Sequence, residues 1–463
     1  MSLELEQTSL FEKFEHIIQT EDKLLIKEFL NNQNISDVCE LVYEFPDYES
    51  QIIANMSIHR ASSVFKILEF HTQKSIINDL PANKTAELLN ELPADDRTDF
   101  LEELPSNVVR ELIKLLNPEE RKITLSLLGY PENSVGRLMT PDYIYVFEEN
   151  TVAEVLDIIR RIGSNSETID VIYVIDENGN LLDDIRIREF IFNAPDKKVS
   201  ELMDDRVIAL KANDDQELAY EAFKMNNRVA LPVVNETNKL LGIVTIDDVL
   251  WVASEEFSED MQKMGGTEAL DEPYLEIPIL KLFRKRILWL LVLFVGEMFT
   301  ASAMGYFQDE LARAIVLALF VPLIISSGGN SGSQASTLII QAMAVGEVGL
   351  SDWWKVMRRE IVQGLLLGTA LGLFGFMRVI IWGNIFPDIY GAHYVVIAFV
   401  VALSLLGVVL WGSLTGSMLP LILKKLGADP AVSSAPFVAT LVDVTGLIIY
   451  FSMAFLMMER VLY

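Results

Sequence analysis

Apolar positions follow two different patterns along this chain of 463 residues. Toward the C-terminal end, five long apolar runs follow one another, near Ile287–Phe307, Ala314–Ala344, Ile361–Trp382, Tyr394–Leu423 and Val432–Met458. Each reaches the roughly 20 residues that an α-helix needs to cross a bilayer core. Short polar connections such as QDE (308–310) and KKLGADP (424–430) separate them. One such run fits a buried helix of a soluble protein. Five in succession predict a membrane domain.

Before these runs the apolar residues come in short amphipathic stretches. From about residue 5 to 130 they read as helices. Leu-Pro recurs at 80–81, 92–93 and 104–105, a period of 12 that Asn117-Pro118 nearly continues. Proline at the head of runs such as ANKTAELLNE and ADDRTDFLEE suits the first turn of a helix. Stacked hairpins of this kind build a small superhelix. Asp95 and Asp99 are four apart within it and share a helix face. On spacing alone that face reads as solvated.

Residues from about 136 to 262 contain a repeat. VIYVIDENGNLLDDIRI (171–187) aligns with ALPVVNETNKLLGIVTI (230–246) at an offset of 59. Each copy is a β-branched strand, a polar turn and a second strand. A helix-like segment precedes each pair (TVAEVLDIIRRI; DQELAYEAFKMN) and another follows it. A doubled βαββα pattern results.

Charge sharpens the division. The whole chain carries −29, yet residues 281–463 hold 12 Lys/Arg and 10 Asp/Glu, for +2. Residues 1–280 therefore hold 25 and 56, for −31. The basic groups KLFRKR (281–286), KVMRRE (355–360) and KK (424–425) all fall on one side if five spans alternate. Positive charge stays inside, which puts residues 1–286 in the cytoplasm and Tyr463 outside. The segment MSLELEQTSLFEKFEH is acidic and does not read as a signal peptide. A single Cys39 excludes an intramolecular disulfide. Four His without ligand spacing give a His/Cys zinc centre little support.

The segment DDVLWVASEEFSEDMQKMGGTEALDE (247–272) crowds nine carboxylates, from Asp247 to Glu272, into 26 positions. Like charges this dense repel unless something neutralises them. A solvated acidic helix is one reading. A set of oxygen-ligand sites for Mg, Ca or Mn is the other. YLEIPILKLFRKR after it predicts a cytoplasmic helix leading into the first span.

The last apolar run holds one acid, Asp443, in a stretch otherwise uncharged from Ala431 to Met458. A carboxylate at mid-membrane depth costs about 2.5–3.5 kcal/mol or more, so it is expected to face the bundle interior or a water-filled path. Pro436, Ala439, Thr440, Asp443 and Gly446 form a small, polar strip at helical spacing. Phe437, Leu441, Val444 and Ile448 make an apolar face beside it. Small residues also suit a packing seam, but a seam does not need the acid. PLIISSGGNSGSQAST (322–337) in the second run points the same way, with three glycines and five serines beside Asn330 and Gln334. Such residues at membrane depth are tolerated where they line a cavity. No GK[ST] ending or preceding soluble strand supports phosphate cradling.

GGNSGSQASTLII in the second run, GADPAVSSAPFVATLVDVTG at the last, and LLGYPENSVGRLMTP (127–141) together resemble the MgtE family of magnesium channels. The doubled βαββα region resembles a pair of CBS domains. Its second copy keeps G-h-h-T-x-x-D as Gly242, Thr245 and Asp248, whereas the first has Asp183, Arg186 and Glu189. The resemblance covers essentially the whole chain. It implies a multidomain integral membrane protein of the bacterial inner (cell) membrane: an acidic helical N-domain (1–135), tandem CBS domains (136–262), a connecting helix (263–286) and a five-helix transmembrane domain (287–463).

The resemblance also implies a homodimer with a Mg2+ pathway near its axis, and Mg2+ as both substrate and regulator. The central pore acid falls on Asp443, with the backbone carbonyl of Ala439 and the side chain of Ser333 beside it. Many members have Asn at the last position. Mg2+ dehydrates reluctantly and keeps several waters, so a wide polar site with one acid per subunit suits a hydrated ion. Acidic positions implied to bridge regulatory Mg2+ are Asp95, Asp99, Asp215, Glu217, Asp248, Glu256, Glu259, Asp260 and Asp429. Asn227 and Trp251 stand where well-known members have acids, which predicts fewer bound ions. ATP at the CBS domains is a further ligand the resemblance implies; nucleic acid is not a partner. Two other readings compare poorly. An intramembrane aspartyl protease needs two acids sharing a proton in a suitable motif, and Glu297 and Asp443 lie in none. A membrane Mg2+ sensor without transport needs no intramembrane acid.

Overall fold

The computed structural model describes residues 2–20, 22–204, 206–270, 274–275, 277–308, 315–391 and 393–462. The chain divides into two compact units, Met1–Ser254 and Glu255–Tyr463.

The first unit opens with short helices. The period of 12 appears as the helices Ala82–Glu91, Ala94–Glu102 and Ser106–Leu112. Pro81, Pro93 and Pro105 stand at their N-caps, one residue before the first turn expected for them. The N-cap is extended, and proline's fixed φ suits that conformation as well. Each preceding leucine (Leu80, Leu92, Leu104) turns into the core formed with Phe65, Phe100 and Leu101. Arg97 is fully buried and ties three helices together. It donates to the carbonyls of Leu89 and Leu92 at 3.1 Å, to Thr124 Oγ1 at 2.8 Å and to the Glu120 carboxylate.

The repeat folds twice as βαββα. Strands β1 (Tyr145–Phe147), β2 (Val171–Ile175) and β3 (Leu181–Arg186) make one sheet. Strands β4 (Leu210–Lys211), β5 (Ala230–Val234) and β6 (Leu240–Thr245) make the other. In each sheet the first pair is parallel and the second antiparallel. Both β2 and β5 are buried along their whole length. Residues of both copies, among them Tyr173, Leu181, Ala230 and Ile243, share one core.

In the second unit five helices are long and apolar enough to cross a membrane: Ile279–Tyr306, Ile315–Ala344, Leu350–Ile385, Tyr394–Lys425 and Ala435–Met457. The connecting helix expected over 263–286 is divided instead. The helix Ile246–Met264 ends before Gly266, whose φ of +75° lies in the left-handed region. A new helix starts after Pro278, so KLFRKR forms its first turns and runs straight into the first span. The second span enters through a tight turn, Ile315–Phe320, before its α-helix. It crosses the fourth span at glycines: a methyl on Gly416 would meet the Gly332 carbonyl, and one on Gly412 the Gly328 carbonyl. Close helix approach through small residues is how membrane helices gain packing energy. A hydrogen bond of 2.8 Å between the Ser331 and Ser413 hydroxyls closes the same crossing.

Candidate functional site

Asp443 stands half-buried about two turns into the last helix, Ala435–Leu462. A side chain built on Gly329 would lie 3.5 Å from its Oδ1 and 3.5 Å from the Ala439 Cβ, so the second span passes directly over both. One turn along, Ser333 Oγ donates to the Ala435 carbonyl at 3.0 Å. Ser333, Ala439 and Asp443, the residues expected at the ion path, therefore lie where the second and fifth spans pack against each other.

The small polar strip is not the most buried face of its helix. Val438, Val442, Leu447, Tyr450 and Phe451 are all fully buried. Pro436, Ala439, Thr440 and Asp443 flank them and are half-buried, while Leu441 and Ile448 are exposed. The aliphatic side chains fill the bundle core because they carry no polar group to satisfy. The strip is left on the edge, where it also serves as a seam.

The first span packs along that seam. Trp289 Nε1 donates to Ser434 Oγ at 3.3 Å, and Thr440 Cγ2 lies 2.6 Å from where a Gly296 side chain would start. Next along the helix, Glu297 brings a second carboxyl close to Asp443. Sequence spacing singled out Glu297 as an acid inside a span and left its surroundings open.

A second group forms around Lys263. Its ammonium lies 2.8 Å from Asp429 Oδ2 and 2.5 Å from Glu259 Oε1. Burial works against that charge, but the two carboxylates outweigh it and hold Lys263 above its usual pKa. Asp260 sits in the same group. Burial, and then Asp429, push its pKa up to about 6 while Lys263 opposes; Glu256 and Glu259 add to the rise. Glu256, Glu259, Asp260 and Asp429 are thus brought together with a lysine among them.

The third group lies in the first unit. Asp95 and Asp99 share a helix but not an environment: Asp99 is exposed, whereas Asp95 is only 6% exposed and its Oδ1 has no hydrogen-bond partner. Burial raises the Asp95 pKa well above the usual range, and Asp248, Asp96 and Glu167 raise it further. Asp248 accepts from Thr245 Oγ1 at 2.6 Å. Burial pushes it up to about 7 against that hydrogen bond, helped by Asp247 and Asp96. Lys66 lies 3.3 Å from Asp96. Asp96 is next to Asp95 in the chain, whereas only the fold brings Glu167 to it.

Asp215 has a local task. It caps the helix Gln216–Asn226, and its carboxylate accepts from the Glu217 N–H at 2.9 Å. Both Asp215 and Glu217 are exposed. Gly242 lets β6 approach the Thr140 carbonyl, which a side chain there would meet at 2.6 Å. In the first copy Asp183 replaces that glycine, and its carboxylate accepts from the Asp204 N–H at 2.7 Å. Among the described residues, no group of three or more His, Cys, Asp or Glu is arranged to hold a metal ion.

Five long apolar helices, with an acid and a Gly/Ser-rich stretch among them, define a multi-pass membrane protein. Residues 321–453 match the family described as divalent cation transporter, MgtE; residues 13–133 match the MgtE intracellular N domain; and 135–193 and 199–255 match CBS domains. The chain is 40% identical over 352 residues to the Magnesium transporter MgtE of Thermus thermophilus, covering 76% of each. It is 31% identical over 341 residues to that of Enterococcus faecalis, covering 74% of this chain and 73% of the relative. It belongs to the MgtE family. Among solved structures, the cytosolic domain of the Mg2+ channel MgtE in complex with ATP aligns with a TM-score of 0.50 at 32% identity, covering 52% of this chain and 98% of that one. The soluble part of a magnesium transporter shares the fold with a TM-score of 0.51, covering 54% and 99%.

Proposed function

We propose that this chain carries Mg2+ across a bacterial cell membrane as a homodimer, through a path lined by Asp443, the Ala439 carbonyl and Ser333. The supporting observation is the position of Asp443, a carboxylate inside the fifth span under Gly329 in a relative of magnesium transporters. Two symmetry-related Asp443 supply −2 opposite a hydrated +2 ion, and Mg2+ keeps several of its waters in such a site. Ser333 and backbone carbonyls meet those waters without adding charge. Residues 1–286 lie in the cytoplasm and the C-terminal end outside, following the basic connections. The domain limits are 1–135, 136–262, 263–286 and 287–463.

Cytoplasmic Mg2+ closes the path. At low Mg2+, repulsion loosens the carboxylate groups around Asp95 and Asp248 and around Glu256, Glu259, Asp260 and Asp429. When Mg2+ is plentiful, ions bridge them. Asp99, Asp215 and Glu217 are exposed and act at the margins of this scheme. An adenine nucleotide binds at the CBS pair, in keeping with the ATP complex of the structural neighbour. The reading assigns no catalytic step. Expression in a bacterium stripped of its own Mg2+ uptake tests it: growth at limiting Mg2+ supports transport, and failure to grow with normal membrane insertion supports a sensor instead.

A further inference from the structure

The second unit holds its regulatory carboxylates around a cation of its own. Lys263 Nζ is 2.8 Å from Asp429 Oδ2, a residue 166 positions away at the entrance to the fifth span. The same ammonium is 2.5 Å from Glu259, one helical turn back. The Lys263 side chain is 29% exposed and that of Asp429 36%, so water screens the pair only in part. Asp429 is itself held in place, since its Oδ1 accepts from the Ala431 N–H at 2.8 Å in the turn leading to the last helix. Lys263 therefore joins the end of the helix Ile246–Met264 to the start of the fifth span.

We infer that Lys263 is a resident counter-cation of this group: it latches Glu259 to Asp429 when divalent ions are scarce, and it competes with Mg2+ for the same oxygens. The inference rests on the gating reading above. Its physical content is a balance of charge. Four carboxylates (Glu256, Glu259, Asp260, Asp429) with one ammonium carry −3, so a divalent ion is still attracted. It must displace the ammonium from Asp429 or bind beside it against repulsion, and either lowers its affinity. The lysine also limits how far the group springs apart when Mg2+ leaves. The other carboxylate group repeats the arrangement: Lys66 lies 3.3 Å from Asp96, and its charge acts on Glu167 and Asp95 as well. A lysine in each group fits a chain that regulates with fewer bound ions.

The test uses the full-length protein in proteoliposomes loaded with graded Mg2+, and reads uptake of isotope-labelled Mg2+. For Lys263→Met, the internal Mg2+ that halves uptake is expected to fall about fivefold or more, and uptake at the lowest internal Mg2+ is expected to rise above wild type. Lys263→Arg keeps the charge and is expected to behave as wild type. Asp429→Asn breaks the same ion pair by removing a ligand, so its half-closing Mg2+ is expected to rise instead. These opposite signs separate a counter-ion from a merely structural contact, whose loss moves both variants alike. A Mg2+-responsive wild type with a Lys263→Met curve superimposed on it overturns the role of the lysine alone. A wild type whose uptake ignores internal Mg2+ overturns the gating reading and the inference with it.

Discussion

A side chain built on Gly296, in the first span, would meet Thr440 Cγ2, in the fifth, at 2.6 Å, and this contact brings the carboxyl of Glu297 close to that of Asp443. An ionisable group at that depth is costly and therefore functional by default, and here two meet. Glu297→Gln keeps the shape and removes the second charge. Initial Mg2+ uptake is expected to fall by roughly fivefold or more if the charge attracts the ion. Uptake equal to wild type would make Glu297 a packing residue.

The group around Asp95 and Asp248 predicts how stability depends on pH without divalent cations. The Asp248 carboxyl has a raised pKa, about 7 in the fold against 3.8 unfolded. The folded protein therefore holds that proton more tightly across the interval between those values. Stability from this group is fully present below the unfolded pKa and is lost as pH rises toward 7. In EDTA, the thermal midpoint is expected to be higher at pH 6 than at pH 7.5. Asp248→Asn is expected to shrink the difference, and an unchanged difference would assign it to other groups.

Asp95 carries the same argument without pH. Its Oδ1 is buried with no hydrogen-bond partner, a position that favours the neutral form. Asp95→Asn is expected to stabilise the cation-free protein and to weaken protection of the first unit by added Mg2+. Limited proteolysis across a Mg2+ series reads both. Protection identical to wild type would remove Asp95 from the regulatory site.

Arg97 holds the helical region together. It is fully buried and donates to Leu89, Leu92, Thr124 and Glu120. Removing one partner of a buried, hydrogen-bonded pair costs about 3–5 kcal/mol. Arg97→Met is expected to lose about that much, read as a lower urea midpoint for the first unit. A loss below about 1 kcal/mol would show that water replaces the guanidinium.

Much of this architecture was legible in the chain. The offset of 59 between repeats falls on β2 with β5 and β3 with β6, because strands buried on both faces, as β2 and β5 are, read as continuous apolar runs. The five spans were visible for the same reason: burial in lipid leaves long apolar runs. What stayed hidden depends on tertiary neighbours. Lys263 and Asp429 lie 166 residues apart, and no local spacing joins them. Asp95 and Asp99 look equivalent on a helix, yet only Asp95 turns under the second CBS copy, where Ala94 joins the core of Leu231 and Val249. The division of the connecting helix depended on Gly266 and Pro278, two breakers that charge patterning passed over.

The most direct test of the ion path is initial Mg2+ uptake into proteoliposomes with low internal Mg2+, comparing wild type with Asp443→Asn. Asparagine keeps the size and polarity and removes the charge opposite the ion. The account predicts rapid uptake by wild type and uptake near the protein-free background for the variant, with both proteins eluting alike in detergent. Equal uptake by the two would move the ion path away from the fifth span.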